Sequence, residues 1–386
     1  MANVVNLLSV FTKTSAIFTK NQTDSMTYRL STNNRQLSTK KMTKQEKINA
    51  FNPSGIGLDN GNFIGLPFNE EESEIVLFPV PWDVTVSFAE GTATGSQNIL
   101  EASAQLDLGD LFAPDAWKRG IYFKETNAYW ARRSTELRAL AKEYIDFLEK
   151  GGNVTEKPKM RRILDEINYT SENLKRWVKD ETKKLLKAGK KVGLVGGDHS
   201  TPLGYLEALA EHHGEFGILQ IDAHMDLRNA YEGFTFSHAS IFHNALKIKE
   251  VKTLTQVGIR DFCEEELEAV KRENGRIVVH FDENIKTQMY GGLTFAAICE
   301  QIVESLPQRV YVSFDIDGLR PELCPNTGTP VPGGLDFQQA CYLLRQLRVS
   351  GREIIGFDLC EVAGIGNDWD GNVGARVLYK LCGFIG

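Results

Sequence analysis

The chain has 386 residues, 42% of them hydrophobic and 25% charged, with 44 Lys and Arg against 51 Asp and Glu for a net charge of -7. That is ample material for a core, and an acidic balance without a basic stripe excludes a nucleic-acid-binding surface. No apolar run approaches the ~18 residues of a membrane span, and the six cysteines (Cys263, Cys299, Cys324, Cys341, Cys360, Cys382) form no Cys-x-x-Cys pair, so they read as reduced, mostly buried thiols.

In chain order, residues 1–45 come first, rich in Ser, Thr, Asn and Lys, with Asp24 the only acid before Glu46. Such a segment buries little apolar surface and is expected to be disordered. Its basic, hydroxyl-rich composition has some character of an organellar presequence, although arginine is sparse and Met42 offers an alternative start. The expected location is therefore cytoplasmic, or the mitochondrial matrix if the extension is a presequence. Residues 46–386 are expected to form one domain. Within it, 51–67 reads as an irregular arm and 75–80 as the first core strand. The Gly91-Thr92-Ala93-Thr94-Gly95 loop resembles a phosphate cradle only superficially, since no Gly-Lys-Ser/Thr follows, and reads as a tight turn before a helix from Ser96. From about 117 to 190 the pattern is charged and helical, which predicts an insertion of two surface helices, 134–150 and 159–187, around the Gly-Gly break at 151–152, with Gly189 as the stop.

After Lys191 the rhythm is regular. Strands near 191–195, 216–221, 253–259, 276–281, 309–315 and 353–359 alternate with helices near 202–212, 239–249, 263–273, 294–305, 336–349 and 372–381. That alternation implies right-handed crossovers and one parallel sheet covered on both faces. In such sheets, ligands sit beyond the carboxyl ends of the strands. Metal-ligand side chains collect at those ends. Asp222, His224 and Asp226 follow the strand at 216–221, Asp315 and Asp317 end the strand at 309–315, and Asp198-His199 closes the strand at 191–195. Alternation along an extended backbone would turn Asp222, His224 and Asp226 to one side. Clustered carboxylates and imidazoles leave unbalanced negative charge, which favours a divalent cation.

Gly-Gly-Asp-His-Ser (196–200), Asp-Ala-His-Met-Asp (222–226), Ser-Phe-Asp-Ile-Asp-Gly (313–318) and the Pro-Asn-Thr-Gly-Thr-Pro loop (325–330) occur in that order. Together they closely resemble the ureohydrolase family of arginases and agmatinases, from about Ile75 to the C-terminus. The resemblance implies a three-layer α/β/α sandwich with a mostly parallel central sheet and two divalent ions bridged by a hydroxide. One ion would take His199, Asp222, Asp226 and Asp315, the other Asp222, His224, Asp315 and Asp317. Oxygen-rich ligation with two imidazoles suits Mn²⁺ and also permits Ni²⁺ or Co²⁺. By the same resemblance, Glu361 pairs with a guanidinium, His238 transfers a proton to the leaving nitrogen, and the protein is a homo-oligomer, trimer or hexamer. A guanidinium is effectively always protonated and resists water at neutral pH; two ions lower the pKa of a bridging water. His212, His213, His243 and His280 match no motif and are expected to be structural. Where the family carries Asp-Pro after the Asp-x-Asp pair, this chain has Arg320-Pro321, and Arg320 is expected to pair with a nearby acid.

The expected reaction is cleavage of a small guanidino compound to urea. Phe-Ser-His-Ala-Ser (236–240) and Asn-Asp-Trp-Asp-Gly-Asn (367–372) look most like the guanidine hydrolases of the agmatinase-like branch. Guanidine therefore ranks first, agmatine second and arginine third. Trp369 is expected to narrow the pocket over the cation, or else to anchor its loop; Asp368 or Asp370, turned inward, would hold the ammonium of agmatine. The rival readings are an inactive metal-binding scaffold or regulatory subunit, and a zinc deacetylase using one ion.

Overall fold

The computed structural model describes residues 42–386. Eight strands form one sheet: β1 (Ile75–Val80), β2 (Ile121–Phe123), β3 (Lys191–Gly196), β4 (Phe216–Ile221), β5 (Val251–Ile259), β6 (Ile277–Phe281), β7 (Arg309–Asp315) and β8 (Glu353–Cys360). Their order is β2-β1-β3-β8-β7-β4-β5-β6, and every pairing is parallel. The helices are α1 (Lys44–Ala50), α2 (Gly95–Ser103), α3 (Ala128–Glu149), α4 (Pro158–Lys187), α5 (Leu203–His213), α6 (Ile241–Ala245), α7 (Glu264–Arg272), α8 (Asp282–Tyr290), α9 (Phe295–Glu304), α10 (Phe337–Val349) and α11 (Asp368–Phe384).

Alternation along the strands divides the apolar side chains between two cores. Ile75 and Leu77 of β1, with Val310, Val312 and Phe314 of β7, pack under α2, α9, α10 and α11. Val76, Phe78 and Val80, with Tyr311, face α3, α4, α5 and α6. Both faces of the sheet are covered, so its central strands are mostly apolar, with Gln220, Ser313 and Asp358 buried among them. The result is the three-layer α/β/α sandwich that the motif resemblance implied.

All seven strands expected from the apolar runs are present. The eighth, β2, is three residues long and pairs only with Ile75–Leu77 of β1, too short for a period to register. The first helix of the insertion starts at Ala128 rather than 134, because the Asn127 side chain caps it by accepting from the backbone N–H of Tyr129 and Trp130. Gly189 does follow the end of α4, in the left-handed conformation at φ 74°. Helix α8, which no periodicity announced, starts directly where β6 ends. The expectations for the N-terminal extension fall, through residue 41, outside the described residues; Thr43 caps α1 in a reciprocal box with Glu46. Residues Thr43–Gly386 form one compact unit. Among the described residues, all six cysteines are free and five of them buried, and no helix is long and apolar enough to cross a membrane.

Candidate metal centre

The four central strands, β3-β8-β7-β4, are adjacent in the sheet, so their carboxyl ends bring Asp198-His199, Glu361, Asp315/Asp317 and Asp222 to one place. The turn after β3 fits only because residue 197 is glycine: a Cβ there would lie 1.8 Å from the Trp82 carbonyl oxygen. Asp198 then caps the turn, accepting from Ser200 N at 3.0 Å and from Thr85 Oγ1 at 3.2 Å.

His199 Nδ1 is the focus of one cluster. Asp222 Oδ2 lies 3.0 Å from it, Asp226 Oδ2 3.1 Å and Asp315 Oδ2 3.3 Å. That nitrogen is buried and has no hydrogen-bond partner. Donor atoms at about 2.1 Å from one octahedral ion sit about 3 Å apart when adjacent, so the spacing is that of a coordination shell. The opposite nitrogen, Nε2, lies 2.9 Å from Ser313 Oγ, which donates to Asp358 Oδ2 at 2.7 Å. This chain fixes the ring and leaves Nδ1 facing the carboxylates, a common arrangement behind a metal-binding imidazole.

A second cluster shares Asp222. His224 Nδ1 lies 3.1 Å from Asp317 Oδ2 and 3.6 Å from Asp222 Oδ1. Both triads, His199–Asp222–Asp315 and Asp222–His224–Asp317, have donor atoms close enough to hold an ion, and their common member is one of the two acids expected to bridge. A further group, His199–Asp358–Cys360, meets the same distance test, but His199 Nε2 is bonded to Ser313 and burial keeps the Cys360 thiol far above its ordinary pKa. The electrostatics of the main clusters call for positive charge. Burial, then Asp317 and Asp222, push the Asp315 carboxyl well above the usual carboxylate range. Burial and Asp222 push Asp226 up to about 7. The donor set therefore fits divalent ions.

Strand alternation alone does not gather these side chains. Strand β4 ends at Ile221, and Asp226 reaches the cluster through a left-handed backbone at φ 54°. Glu361 shares such a backbone, at φ 61°. Positive φ in non-glycine residues is costly and concentrates at functional sites. Backbone amides pin the acids: His224 N donates to Asp222 Oδ1 at 2.6 Å, Ala223 N to Asp317 Oδ1 at 3.0 Å and Asp317 N to Asp315 Oδ1 at 2.9 Å.

Glu361 and His238 complete the group. Glu361 Oε1 accepts from His199 N at 3.0 Å and lies 3.4 Å from His238 Nδ1, while Oε2 is buried without a partner. His238 is held by Ser87 Oγ, 3.2 Å from Nε2, and its backbone N–H donates to Thr85 Oγ1 at 3.2 Å. Burial lowers the His238 pKa, but Glu361, Asp198 and Asp226 outweigh that and raise it above its ordinary value. His224, Asp226, Asp315 and His238 line a cavity of about 180 Å³ together with Arg228 and Tyr231.

All six expected ligands thus come together with Glu361 and His238. Trp369 does not join them. Half exposed at the start of α11, it donates its indole N–H to the Glu322 carbonyl at 2.9 Å, the anchoring alternative rather than a cover over the cavity. Asp370 is buried and accepts from Asn326 N and Nδ2, both at 3.0 Å, and Asp368 is exposed. Arg320 pairs with Glu322 at 3.1 Å on the surface. Sequence reasoning missed Ser313, Asp358, Gln220 and Arg260. Gln220 Nε2 donates to Asp222 Oδ2 at 2.8 Å, and Gln256 Nε2 to Gln220 Oε1 at 2.6 Å. The Arg260 guanidinium bonds the carbonyls of Asp317, Leu319 and Val331 at 2.6, 3.1 and 3.0 Å, tying the β7 turn to the cavity wall. A polar residue inside an apolar run, such as Gln220, Gln256, Ser313 or Asp358, was the available signal.

A parallel α/β/α sandwich carrying two imidazole–carboxylate clusters over a cavity at its strand ends has the architecture of a hydrolase with a metal centre. The sequence pattern of the arginase family matches residues 73–383. The N(1)-aminopropylagmatine ureohydrolase of Thermus thermophilus is 30% identical over 316 residues, 82% of this chain and 92% of the relative. The agmatinase of Bacillus anthracis is 29% identical over 300 residues, 76% of this chain and 85% of the relative. Among solved structures, the agmatine ureohydrolase of Thermoplasma volcanium shares the fold, with a TM-score of 0.64 at 20% identity over 84% of this chain and 94% of that one. The chain belongs to the arginase family, as a ureohydrolase acting on C–N bonds of linear amidines.

Proposed function

We propose that this enzyme hydrolyses free guanidine to urea and ammonia, using two divalent ions, Mn²⁺ or Ni²⁺, in a homo-oligomer. The observation that carries the metal chemistry is the pair of donor triads sharing Asp222. His199, Asp222, Asp226 and Asp315 would hold one ion, and Asp222, His224, Asp315 and Asp317 the other. Bound there, such ions would lower the pKa of a bound water and so supply a nucleophile at neutral pH. The chain's own residues do the rest. The unpartnered Oε2 of Glu361 is a buried acceptor suited to a guanidinium N–H. His238, raised in pKa and 3.4 Å from that carboxylate, carries a proton to the departing nitrogen. Arg228 and Tyr231 also line the cavity.

Guanidine is favoured over tailed substrates because Asp370 is spent on Asn326, which leaves the loop after Glu361 without an inward carboxylate. The second reading, agmatine, rests on Asp261, an acid on the cavity lining whose side chain is 67% exposed, and on the names of the relatives. Urea release from guanidine, agmatine, arginine and guanidino acids by Mn²⁺- and Ni²⁺-loaded enzyme decides. Guanidine should be cleaved most efficiently; efficient agmatine cleavage with no activity on guanidine overturns the substrate choice, and no urea from any of them overturns the reaction.

A further inference from the structure

We infer that the α3–α4 insertion is a positioning scaffold for the proton-transfer side of the cavity, with Arg138, Tyr144 and Asn168 as its contact residues. The inference rests on the proposed role of His238. Two loops meet at that imidazole. One follows β1 and brings Thr85 and Ser87 to His238; the other follows Asp226 and carries both Tyr231 and His238.

Each loop is gripped by the insertion. Arg138, 8% exposed, donates from one guanidinium nitrogen to the carbonyls of Val84 and Val86 at 3.2 and 2.6 Å, and from another to Glu90 at 3.0 Å. One turn earlier on α3, Ser134 Oγ lies 3.2 Å from the Asp83 carboxylate. On the second loop, Tyr144 Oη donates to the Glu232 carbonyl at 2.9 Å. Asn168 on α4 bonds that loop twice: its Nδ2 donates to the Gly233 carbonyl at 3.0 Å and its Oδ1 accepts from Thr235 N at 2.8 Å. The backbone lies directly on the helices, since a Cβ at Gly233 would sit 3.1 Å from Tyr144 Oη and 3.2 Å from Leu164 Cδ2.

This loop needs restraint. Ala230 at φ 49° and Glu232 at φ 55° flank Tyr231 in left-handed backbone, a state that persists only where surroundings over-determine it. The bonds from Tyr144 and Asn168 fall on the residues from Glu232 to Thr235, between the Tyr231 wall and His238. A simple satisfaction of buried polar groups does not require Asn168 to be there, because that residue is only partly buried and water could serve its amide. Its paired donor and acceptor instead read the loop backbone as a strand partner would. The proton donor therefore depends on helices that contribute nothing to the proposed metal ligands.

The test uses full-length, metal-loaded enzyme with Tyr144→Phe, Asn168→Ala and the double variant. Arg176→Ala, which removes an exposed ion pair with Glu172 elsewhere on α4, is the control. Metal content per subunit should stay unchanged, kcat for urea release should fall by about 10–10²-fold with KM moving less, and backbone amide exchange should accelerate over residues 229–240. Asn168→Asp, which keeps the acceptor for Thr235 N, should recover part of kcat. A kcat within about twofold of wild type, or a loss that tracks metal content, overturns the inference. Should the wild-type enzyme release no urea at all, the reaction is wrong but the clamp is still read by exchange: acceleration over 229–240 supports it and unchanged exchange overturns it.

Discussion

His199 is held at Nε2 by Ser313, while three carboxylates surround its unbonded Nδ1. Asp222 in turn faces both imidazoles. Asp222→Asn keeps the shape but removes the charge that two cations would share, so metal analysis of that variant should find fewer ions per subunit and little urea release. Two ions retained with full turnover would remove Asp222 from the bridging role. At His238 the sign of the pH effect follows from the raised pKa. The protonated form is favoured in the fold, so its contribution to stability is complete below the ordinary 6.5 and is lost as pH rises through the folded value. As a proton donor, His238 should hold kcat/KM flat through pH 6.5 and let it fall on the alkaline side. His238→Ala should remove that limb and lower kcat by about 10²–10⁴-fold with metal content intact; unchanged turnover would make the residue structural. The clustered Asp and His side chains were legible because these residue types have few reasons to recur at the ends of apolar strands. Gln220, Asp358 and Arg260 were not, since their work is to orient other side chains and backbone carbonyls across the sheet, and no local spacing records that.

Among the elements, the 325–331 loop is the one on which the cavity depends most visibly. Asp370 at the start of α11 accepts from both nitrogens of Asn326, Thr327 Oγ1 donates to the Glu361 carbonyl at 2.7 Å, and Thr329 and Val331 line the cavity. Asp370→Ala should therefore lower stability by about 1.5–3 kcal/mol, measured by urea denaturation, and raise KM while leaving metal content unchanged. An unaltered KM would separate this loop from substrate binding. The same loop shows why element types were easier to read than boundaries. The helix after Glu361 was expected near 372, yet α11 starts at Asp368, because Asp370 and Trp369 tie its first turn to distant residues. Strand β2 and helix α8 escaped for a related reason, one being too brief to show a period and the other following β6 without a break.

At the scale of the whole molecule, the parallel sheet and its covered faces were readable from the alternation of apolar runs, whereas the strand order was not. Order depends on which edges meet in space, and the β2-β1-β3-β8-β7-β4-β5-β6 arrangement places two late strands in the middle. Removal of metal by a chelator should abolish urea release and lower the midpoint of thermal unfolding, because ions that bind the folded centre stabilise it by mass action; Mn²⁺ or Ni²⁺ should restore both. An unchanged midpoint would mean that the clusters bind no ion tightly. The strand order also has a consequence in time. Strands β3 and β4 are made early but stand apart until β7 and β8 enter between them, and those two strands bring Asp315, Asp317 and Glu361. A chain emerging from the ribosome therefore carries His199 and Asp222 on unpaired edges, exposed to wrong pairing, until β7 and β8 have been made. The centre closes only once β8 has been made, so a chain stalled or cut before Glu361 has no partly working form.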